Sequence, residues 1–236
     1  MRKIEVCVTD LQGAREAFEA GAQRIELCSA LTIGGVTPSY GCIKTIKDHL
    51  PNLDINVLIR PRGGNFCYNS EEVDIMIQDI KMCKELGING VAIGALTSNG
   101  DIDIATMHQL VEAAQGLSLT FHRAFDCCND PYVALEQIIA LGCDRILTSG
   151  QATCVEKGSD TLKRLVYLAN NRIIIMPGCG ITTSNIQQLE HETKAKEFHA
   201  SAQAPIKQSI LNEKSRELFG DISKQTNKEI ISLLIG

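Results

Sequence analysis

Ionisable side chains stand at the ends of apolar runs throughout this 236-residue chain. The recurrent positions are Glu5, Glu26, Arg60, His122 and His199. A strand that is buried on both faces normally reads as a continuous apolar run, and a carboxylate or imidazole in it costs several kcal/mol unless it is paired or reaches water. Because the pattern recurs at one run after another, we expect these ends to converge on one shared polar cavity.

Three residues near these ends have side chains that can move protons. Histidine titrates near neutral pH, so His122 is a candidate general acid or base. Asp126 follows in the same segment and could orient that ring or bind a substrate hydroxyl, while Glu26 places a carboxylate at another run end. The predicted catalytic residues are therefore Glu26, His122 and Asp126.

A second group of residues has the chemistry to bind an anion. Arginine matches a carboxylate with two parallel hydrogen bonds, and glycines or small residues after the last strands of a barrel often bind phosphate through backbone N–H groups. The predicted substrate- or anion-binding residues are Glu5, Arg60, Arg62, Ser149, Gly178, Gly180, His199 and Ser201. An alternative stays open, in which Glu5, Glu26 and Arg60 form a structural ion-pair network without a function.

The chain has ten cysteines but no C-x-x-C, so a zinc ribbon or a thioredoxin-type motif is not supported. Most of them are expected to be free thiols that behave as small hydrophobic residues. Cys7 shares its strand parity with Glu5, and Cys28 shares its parity with Glu26, so both thiols would point toward the same cavity.

Several other classes of function are disfavoured. The formal net charge of -5 leaves no basic surface for nucleic acid, and no apolar stretch is long enough for a membrane span. The N-terminus lacks a secretion signal, so a cytoplasmic location is expected. No lysine stands at the carboxyl end of a strand, and H-x-H, H-E-x-x-H and G-x-S-x-G are absent, which argues against Schiff-base, zinc-hydrolase and serine-hydrolase chemistry.

Short β-branched runs alternate with amphipathic helical patterns from one end of the chain to the other. The predicted strands are 3–8, 24–28, 54–60, 90–94, 117–122, 145–148, 172–176 and 197–200. The predicted helices are 11–20, 40–49, 70–86, 103–114, 131–141, 161–170 and 184–192. Asp10 and Asp130 are predicted N-caps, Pro131 a first helical residue, and Gly21, Gly87 and Gly142 are predicted to end helices.

Eight strands that alternate with helices favour an α/β fold of the (β/α)8 TIM-barrel type in a single domain. A doubly wound sheet is the alternative, but the first strand is not followed by a Gly-rich fingerprint, and no organic cofactor is expected. We predict a barrel core over 1–202, with 203–236 forming a C-terminal tail and a closing helix, 222–234, of the same domain. The long loops 29–39 and 61–69 follow strands two and three, at the face where barrels build their sites.

These motifs resemble those of the CutC family, a group named for copper homeostasis. The resemblance rests on RIELCSAL at 24–31, GGVTPSYG at 34–41, IRPRGG at 59–64, TFHRAFD at 120–126, RILTSG at 145–150, PGCGI at 177–181 and EFHASA at 197–202. The chain departs from the family's pattern at Cys179, where glycine is common, and at Asn65, where aspartate is common. The resemblance implies a cytosolic barrel that forms a homodimer, homotetramer or other homo-oligomer, and a role in copper binding or trafficking, but it assigns no enzymatic reaction.

Two functions are therefore predicted, and they differ in class. The first, which the family resemblance implies, is a copper-homeostasis protein that binds Cu(I) through thiols at the barrel mouth. Soft thiolates suit Cu(I), and Cys7 with Cys28 is the predicted metal-binding pair. The alternative is an enzyme or sensor for a small anionic or phosphorylated metabolite, with His122, Glu26 and Asp126 managing protons and Arg60 and Arg62 holding the anion. Whether the chain is an enzyme is left open.

Overall fold

The computed structural model describes residues 2–206, 213–219 and 224–236. Eight strands form one sheet: β1 (Lys3–Val8), β2 (Arg24–Leu27), β3 (Asp54–Leu58), β4 (Gly90–Ile93), β5 (Ser118–Phe121), β6 (Arg145–Thr148), β7 (Ile174–Pro177) and β8 (Glu197–Ala200). All neighbours in the order β7-β6-β5-β4-β3-β2-β1-β8 pair in parallel. A parallel bridge between Gly178 and His199 joins the two ends, so the sheet closes as the predicted (β/α)8 barrel in a single domain.

Helices follow the strands and cover the outside of the barrel. They are α1 (Leu11–Glu19), α2 (Tyr40–His49), α3 (Ser70–Glu85), α4 (Ile104–Ala113), α5 (Pro131–Ala140), α6 (Ser159–Ala169), α7 (Ile186–Thr193), α8 (Glu213–Phe219) and α9 (Lys228–Ile235). Among the described residues, no helix combines the length and the apolar character that crossing a membrane requires.

The helix ends confirm the predicted capping chemistry. The Asp10 carboxylate accepts a hydrogen bond from the backbone of Gly13, and Asp130 accepts two from the first turn of α5, which begins at Pro131. Gly21, Gly87 and Gly142 all have a positive φ, the conformation in which glycine ends a helix without steric cost.

The hydrophobic core lies mainly between the sheet and the helices. One face of β1 supplies Ile4, Val6 and Val8 to that core, while Glu5 and Cys7 point to the barrel interior. A second, small cluster inside the barrel contains Cys7, Cys28, Leu58 and Ala92. The strand alternation therefore separates an apolar outer layer from a mixed interior, as the parity of the sequence predicts.

The largest differences from the prediction fall late in the chain. Strand β7 begins at Ile174 instead of residue 172, because Asn170 and Asn171 both have a positive φ and turn the chain first. Residues 222 and 223 of the predicted closing helix lie outside the described residues, and its next part is a short strand, β10 (Lys224–Thr226). That strand pairs antiparallel with β9 (Gln203–Pro205), and the helix itself begins only after the Asn227 cap. Tertiary pairing with β9 overrides the local helical pattern here.

Candidate functional site

A cavity of about 540 Å³ opens at the carboxyl ends of the strands. Eight of the residues predicted from the sequence line it: Cys7, Glu26, Cys28, Arg60, His122, Gly180, His199 and Ser201. Arg123, Phe66 and Ile230 also contribute to its wall. The expected convergence of strand ends on one cavity is therefore present in the structure.

Beneath the cavity lies a layer of buried charges that pair with one another. Arg24 donates from Nε to Glu5 and from Nη2 to Glu197, with both contacts at 2.6 Å. Arg145 adds a second cation to Glu197 at 3.0 Å, and Asn56 donates to Glu5 at 3.1 Å. We call this set, Glu5, Arg24, Asn56, Arg145 and Glu197, the ion-pair layer.

Arg24, and not Arg60, neutralises Glu5. The sequence analysis missed this residue, although 24, 26 and 28 share one parity and Glu26 and Cys28 had already been assigned to the interior. The Glu5 and Glu197 carboxylates raise the pKa of Arg24 although its burial opposes them, so the guanidinium stays charged. Glu5 thus belongs to the ion-pair layer and supports the cavity from below.

His199 connects that layer to the cavity. Its Nδ1 lies 2.8 Å from Oε1 of Glu5, and its Nε2 lies 3.8 Å from Oε2 of Glu26. Burial opposes the ionised form of Glu5, but the His199 hydrogen bond and the Arg24 charge lower the pKa of Glu5 to about 2. Burial likewise disfavours the imidazolium, yet Glu26 and Glu5 raise the pKa of His199 above its usual value.

Glu26 is the carboxyl group that is poised to change its charge. Burial raises its pKa from 4.5 to about 7; the Glu5 charge adds to this effect, whereas His199 opposes it. Its Oε1 is buried without a hydrogen-bond partner among the described residues. A carboxyl group with these properties can hold or release a proton near neutral pH.

The two thiols lie beside this carboxyl group. Sγ of Cys7 and Sγ of Cys28 are 3.5 Å apart, and Cys7, Glu26 and His199 offer ligand atoms that all lie within 4.8 Å of one another. The hydrogen bond with Cys28 and then burial raise the pKa of Cys7 well above its usual value. The sequence analysis predicted the thiol pair but not His199 and Glu26 as donors beside it. The predicted closure of the barrel could have indicated them, because closure pairs β8 with β1 and so places His199 next to Glu5.

His122 is buried in the cavity wall and is neutral. Its Nδ1 accepts a hydrogen bond of 3.2 Å from the backbone N–H of Ala124, so the ring proton is on Nε2. Burial and then the Arg60 charge lower the pKa of His122 to about 3. Nε2 has no hydrogen-bond partner among the described residues.

Arg60 holds the loops after β2 and β3 together. Its guanidinium donates to the backbone carbonyls of Ile33, Gly35 and Gly64 at 2.7–3.1 Å and lies 4.8 Å from the centre of the Phe66 ring. In the described part of the chain no carboxylate forms an ion pair with it. Within the described ranges, no acidic side chain therefore neutralises the positive charge at this wall of the cavity.

Two predicted residues near the mouth instead stabilise loops. Arg62 pairs with Glu72 and donates to the carbonyl of Cys67, so its charge is already neutralised. Asp126 accepts hydrogen bonds from Thr148, from the Ser149 backbone and hydroxyl, and from the backbone of Gln151, and it also pairs with Arg123. The structure does not bring Asp126 to the His122 ring; Ala124 orients that ring.

Packing and backbone conformation explain why glycines follow β7. A Cβ at Gly178 would lie 2.4 Å from Cδ1 of Leu147, and Gly180 has a φ of +93°. Helix α7 begins only at Ile186, so no helix N-terminus faces Gly178 or Gly180 directly. Cys179 has a φ of +81°, the region that favours glycine, which is the residue common at this position in the family it resembles. The anion-binding role of Gly178, Gly180 and Ser201 stays a prediction.

Comparison with known proteins decides the family. A family model described as the CutC family matches residues 2–204. The chain belongs to the CutC family. The family protein CutC of Parabacteroides distasonis is 55% identical over 205 residues, which is 87% of this chain and 84% of that protein. The corresponding protein of Bacteroides thetaiotaomicron is 50% identical over 208 residues, covering 88% and 84% of the two chains.

Solved structures agree with this CutC assignment. A Streptococcus agalactiae protein described as a candidate copper homeostasis protein CutC superimposes with a TM-score of 0.82 at 41% identity, covering 85% of this chain and 99% of that one. The phosphoribosylanthranilate isomerase of Thermotoga maritima matches at a TM-score of 0.59 and 12% identity. The second likeness shows the barrel fold alone.

Proposed function

We propose that this CutC-family chain acts in copper homeostasis by binding Cu(I) at the base of the mouth cavity. The observation that carries the proposal is the 3.5 Å separation of the Cys7 and Cys28 Sγ atoms, which lets both thiolates contact one ion. Soft thiolates prefer Cu(I) over hard cations, and the name of the Streptococcus agalactiae relative points to the same metal. His199 Nε2 is the nearest nitrogen donor for a third position.

Protons compete with the metal at this site. Cys7 must lose the proton that its raised pKa retains, and His199 must be neutral to coordinate through Nε2. Apparent Cu(I) affinity should therefore rise with pH across the neutral range.

The test is a competition titration of the reduced full chain against a chromophoric Cu(I) chelator under argon. Cys28→Ser should weaken binding at least about tenfold, because a soft ligand is replaced by a hard one. Cys83→Ser, at a buried site on α3, and Cys127→Ser, at an exposed site, should leave the affinity unchanged. Equal losses from Cys28→Ser and either control would show nonspecific thiol binding and end the proposal.

A second candidate function is an enzyme or sensor for a small anionic metabolite. It is favoured by the uncompensated charge of Arg60 in the wall of a cavity that is far larger than one metal ion needs. Glu26, with a pKa of about 7, supplies a group that can exchange a proton with a bound molecule. Thermal unfolding of the metal-free chain with anionic metabolites tests this function, since a ligand that binds only the folded state raises the midpoint. An unchanged midpoint with every anion would exclude it.

A further inference from the structure

The thiols and His199 occupy only the base of the mouth cavity, and a different set of side chains forms one of its walls. Arg60, His122 and Phe66 contact one another there: the Phe66 ring lies 5.1 Å from the His122 ring, between centres, and 4.8 Å from the Arg60 guanidinium carbon. We infer that this wall binds a small monoanionic organic carboxylate with an apolar body. The inference rests on the second candidate function and needs no bound metal.

The charge of the wall selects a single negative charge. Arg60 is only 5% exposed, and its hydrogen bonds go to backbone carbonyls, which leave its full charge uncompensated. The other arginine of the cavity, Arg123, is neutralised by Asp126 at 2.8 Å. A buried charge without a counter-ion is costly, and a ligand carboxylate would supply the missing charge.

The balance of charges at this wall also disfavours phosphate as the ligand. A phosphate dianion would bring two negative charges to the one cavity arginine that has no acidic partner among the described residues, while the Glu26 carboxyl group lines the same cavity. Packing against Leu147 is enough to explain why residue 178 is a glycine, so that glycine is no evidence for a phosphate. A monoanion matches the available charge, whereas a dianion exceeds it.

Hydrogen-bonding groups of the wall are left without partners. His122 carries its ring proton on Nε2, and this N–H group is buried without a hydrogen-bond partner among the described residues. Nε of Arg60 is likewise buried without a partner among them. A buried donor with no partner among the described residues lowers stability, and a ligand carboxylate that accepts its hydrogen bond removes that penalty.

The remaining lining explains why the ligand needs an apolar body. Leu31, Leu58, Phe66, Ile181 and Ile230 line the same cavity. Its volume of about 540 Å³ lies within the range of about 300–1,000 Å³ that is common for small-molecule sites. A carboxylate held at Arg60 would place its hydrocarbon part against these side chains and remove them from water.

The experiment is isothermal titration calorimetry of the reduced, metal-free full chain with benzoate, benzamide and inorganic phosphate. Benzoate should bind, and benzamide, which has the same shape without the charge, should bind at least about tenfold more weakly because it lacks the charge-assisted contacts. Arg60→Met and His122→Leu should each weaken benzoate binding about tenfold or more. Arg123→Ala, which removes the already paired arginine of the same cavity, should change it less than about twofold.

Each outcome supports or overturns the inference. Because Arg60 also ties loops together, His122→Leu is the deciding variant if Arg60→Met does not fold. Phosphate binding without benzoate binding would retain the second candidate function and overturn this inference, while no binding of any anion would remove both. Benzoate binding that is unchanged in His122→Leu and equal to that of benzamide would show hydrophobic uptake only. Cys7→Ser should retain benzoate binding even if it loses Cu(I), which separates the wall from the metal ligands.

Discussion

Two groups of ionisable residues lie inside the same barrel and differ in how completely they are paired. In the ion-pair layer each charged residue has an opposite charge within 3.0 Å, and the unpartnered atom is a neutral one, Oδ1 of Asn56. At the mouth above it, Glu26, Arg60 and His122 each keep a buried atom with no partner among the described residues. The same residue types at equally buried positions therefore serve two purposes.

We expect completeness of pairing to separate the structural residues from the ligand-binding residues of this barrel. A buried ion pair with all its hydrogen bonds made leaves nothing for a ligand to bind and resists the loss of either partner. A buried group that the protein leaves unpaired lowers stability, and it is retained where a ligand completes it. Five substitutions, one of them with a matched control, test this distinction, from the largest expected effect to the smallest.

Arg24→Met should produce the largest loss. It removes the cation shared by Glu5 and Glu197, leaving two buried carboxylates with less compensation, so the free energy of unfolding should fall by about 3–5 kcal/mol. Urea denaturation near neutral pH measures it. A loss below about 1 kcal/mol would mean that the ion-pair layer is not a structural element and would break the comparison.

Asp126→Ala should come second. Although Asp126 stands at the mouth, it is fully paired, and its removal leaves the donors of Thr148, Ser149 and Gln151 without an acceptor. The expected loss in the free energy of unfolding is about 2–3 kcal/mol. Arg123→Ala, which removes one exposed partner of the same carboxylate, is the matched control and should lose less than about 1 kcal/mol. Equal effects of the two variants would argue against Asp126 as the loop anchor.

Glu26→Gln should change the pH dependence of stability. The folded pKa of Glu26 is raised to about 7, so the folded chain binds more protons than the unfolded chain between 4.5 and that value. Wild-type stability should therefore fall as pH rises through this window, and the opposite charges of His199 and Arg24 oppose the effect without reversing it. The variant should lose this slope, which is about 1.4 kcal/mol per pH unit at its steepest, and should be more stable than wild type at about pH 8.

Glu5 should affect the pH dependence of stability in the direction opposite to Glu26. Its folded pKa of about 2 lies below the unfolded value of 4.5, so its contribution to stability is present above 4.5 and disappears as pH falls toward 2. Glu5→Gln should therefore reduce stability at neutral pH and have little effect in strong acid. Parallel pH profiles for the Glu5 and Glu26 variants would contradict the division into paired and unpaired groups.

His122→Leu should have the smallest effect on stability. The substitution replaces a buried imidazole that has one unpartnered nitrogen with an apolar side chain of similar size, at the cost of the hydrogen bond to Ala124. These changes oppose each other, so the free energy of unfolding should change by less than about 1 kcal/mol. The shift in the midpoint of thermal unfolding measures it. A large loss would place His122 with the structural residues and remove it from the candidate site.

Local patterns allowed much of the fold to be predicted. The bounds of β1, β6 and β8 agree with the prediction, and the caps at Asp10 and Asp130 do as well, because strand alternation and capping depend on neighbouring residues. The region from 203 onward was less well predicted, because β10 forms only by pairing with β9. Pairing between segments far apart in sequence has no local signal.

The sequence predicted which residues belong to the candidate site better than it predicted which of them contact one another. Strand parity brought Cys7, Glu26, Cys28 and His122 to one cavity, as the structure shows. The alternative of a structural network among Glu5, Glu26 and Arg60 named the wrong cation for Glu5, since Arg24 pairs with Glu5 and Arg60 lies at the mouth. Which side chains meet across neighbouring strands depends on strand register and on barrel closure. The alternation of side chains along a single strand determines neither.

The sequence by itself determined the alternation of strands and helices, the inward direction of the polar side chains and the membership in the CutC family. These follow from periodicity, from capping chemistry and from motifs that are continuous in the chain. Only the tertiary structure decided which charges are paired. Closure of β8 onto β1 sets His199 between Glu5 and Glu26, and burial then raises the pKa of one carboxyl group while ion pairing lowers that of the other. Charge states inside a barrel depend on all the neighbours in space, and those neighbours come from strands that are far apart along the chain.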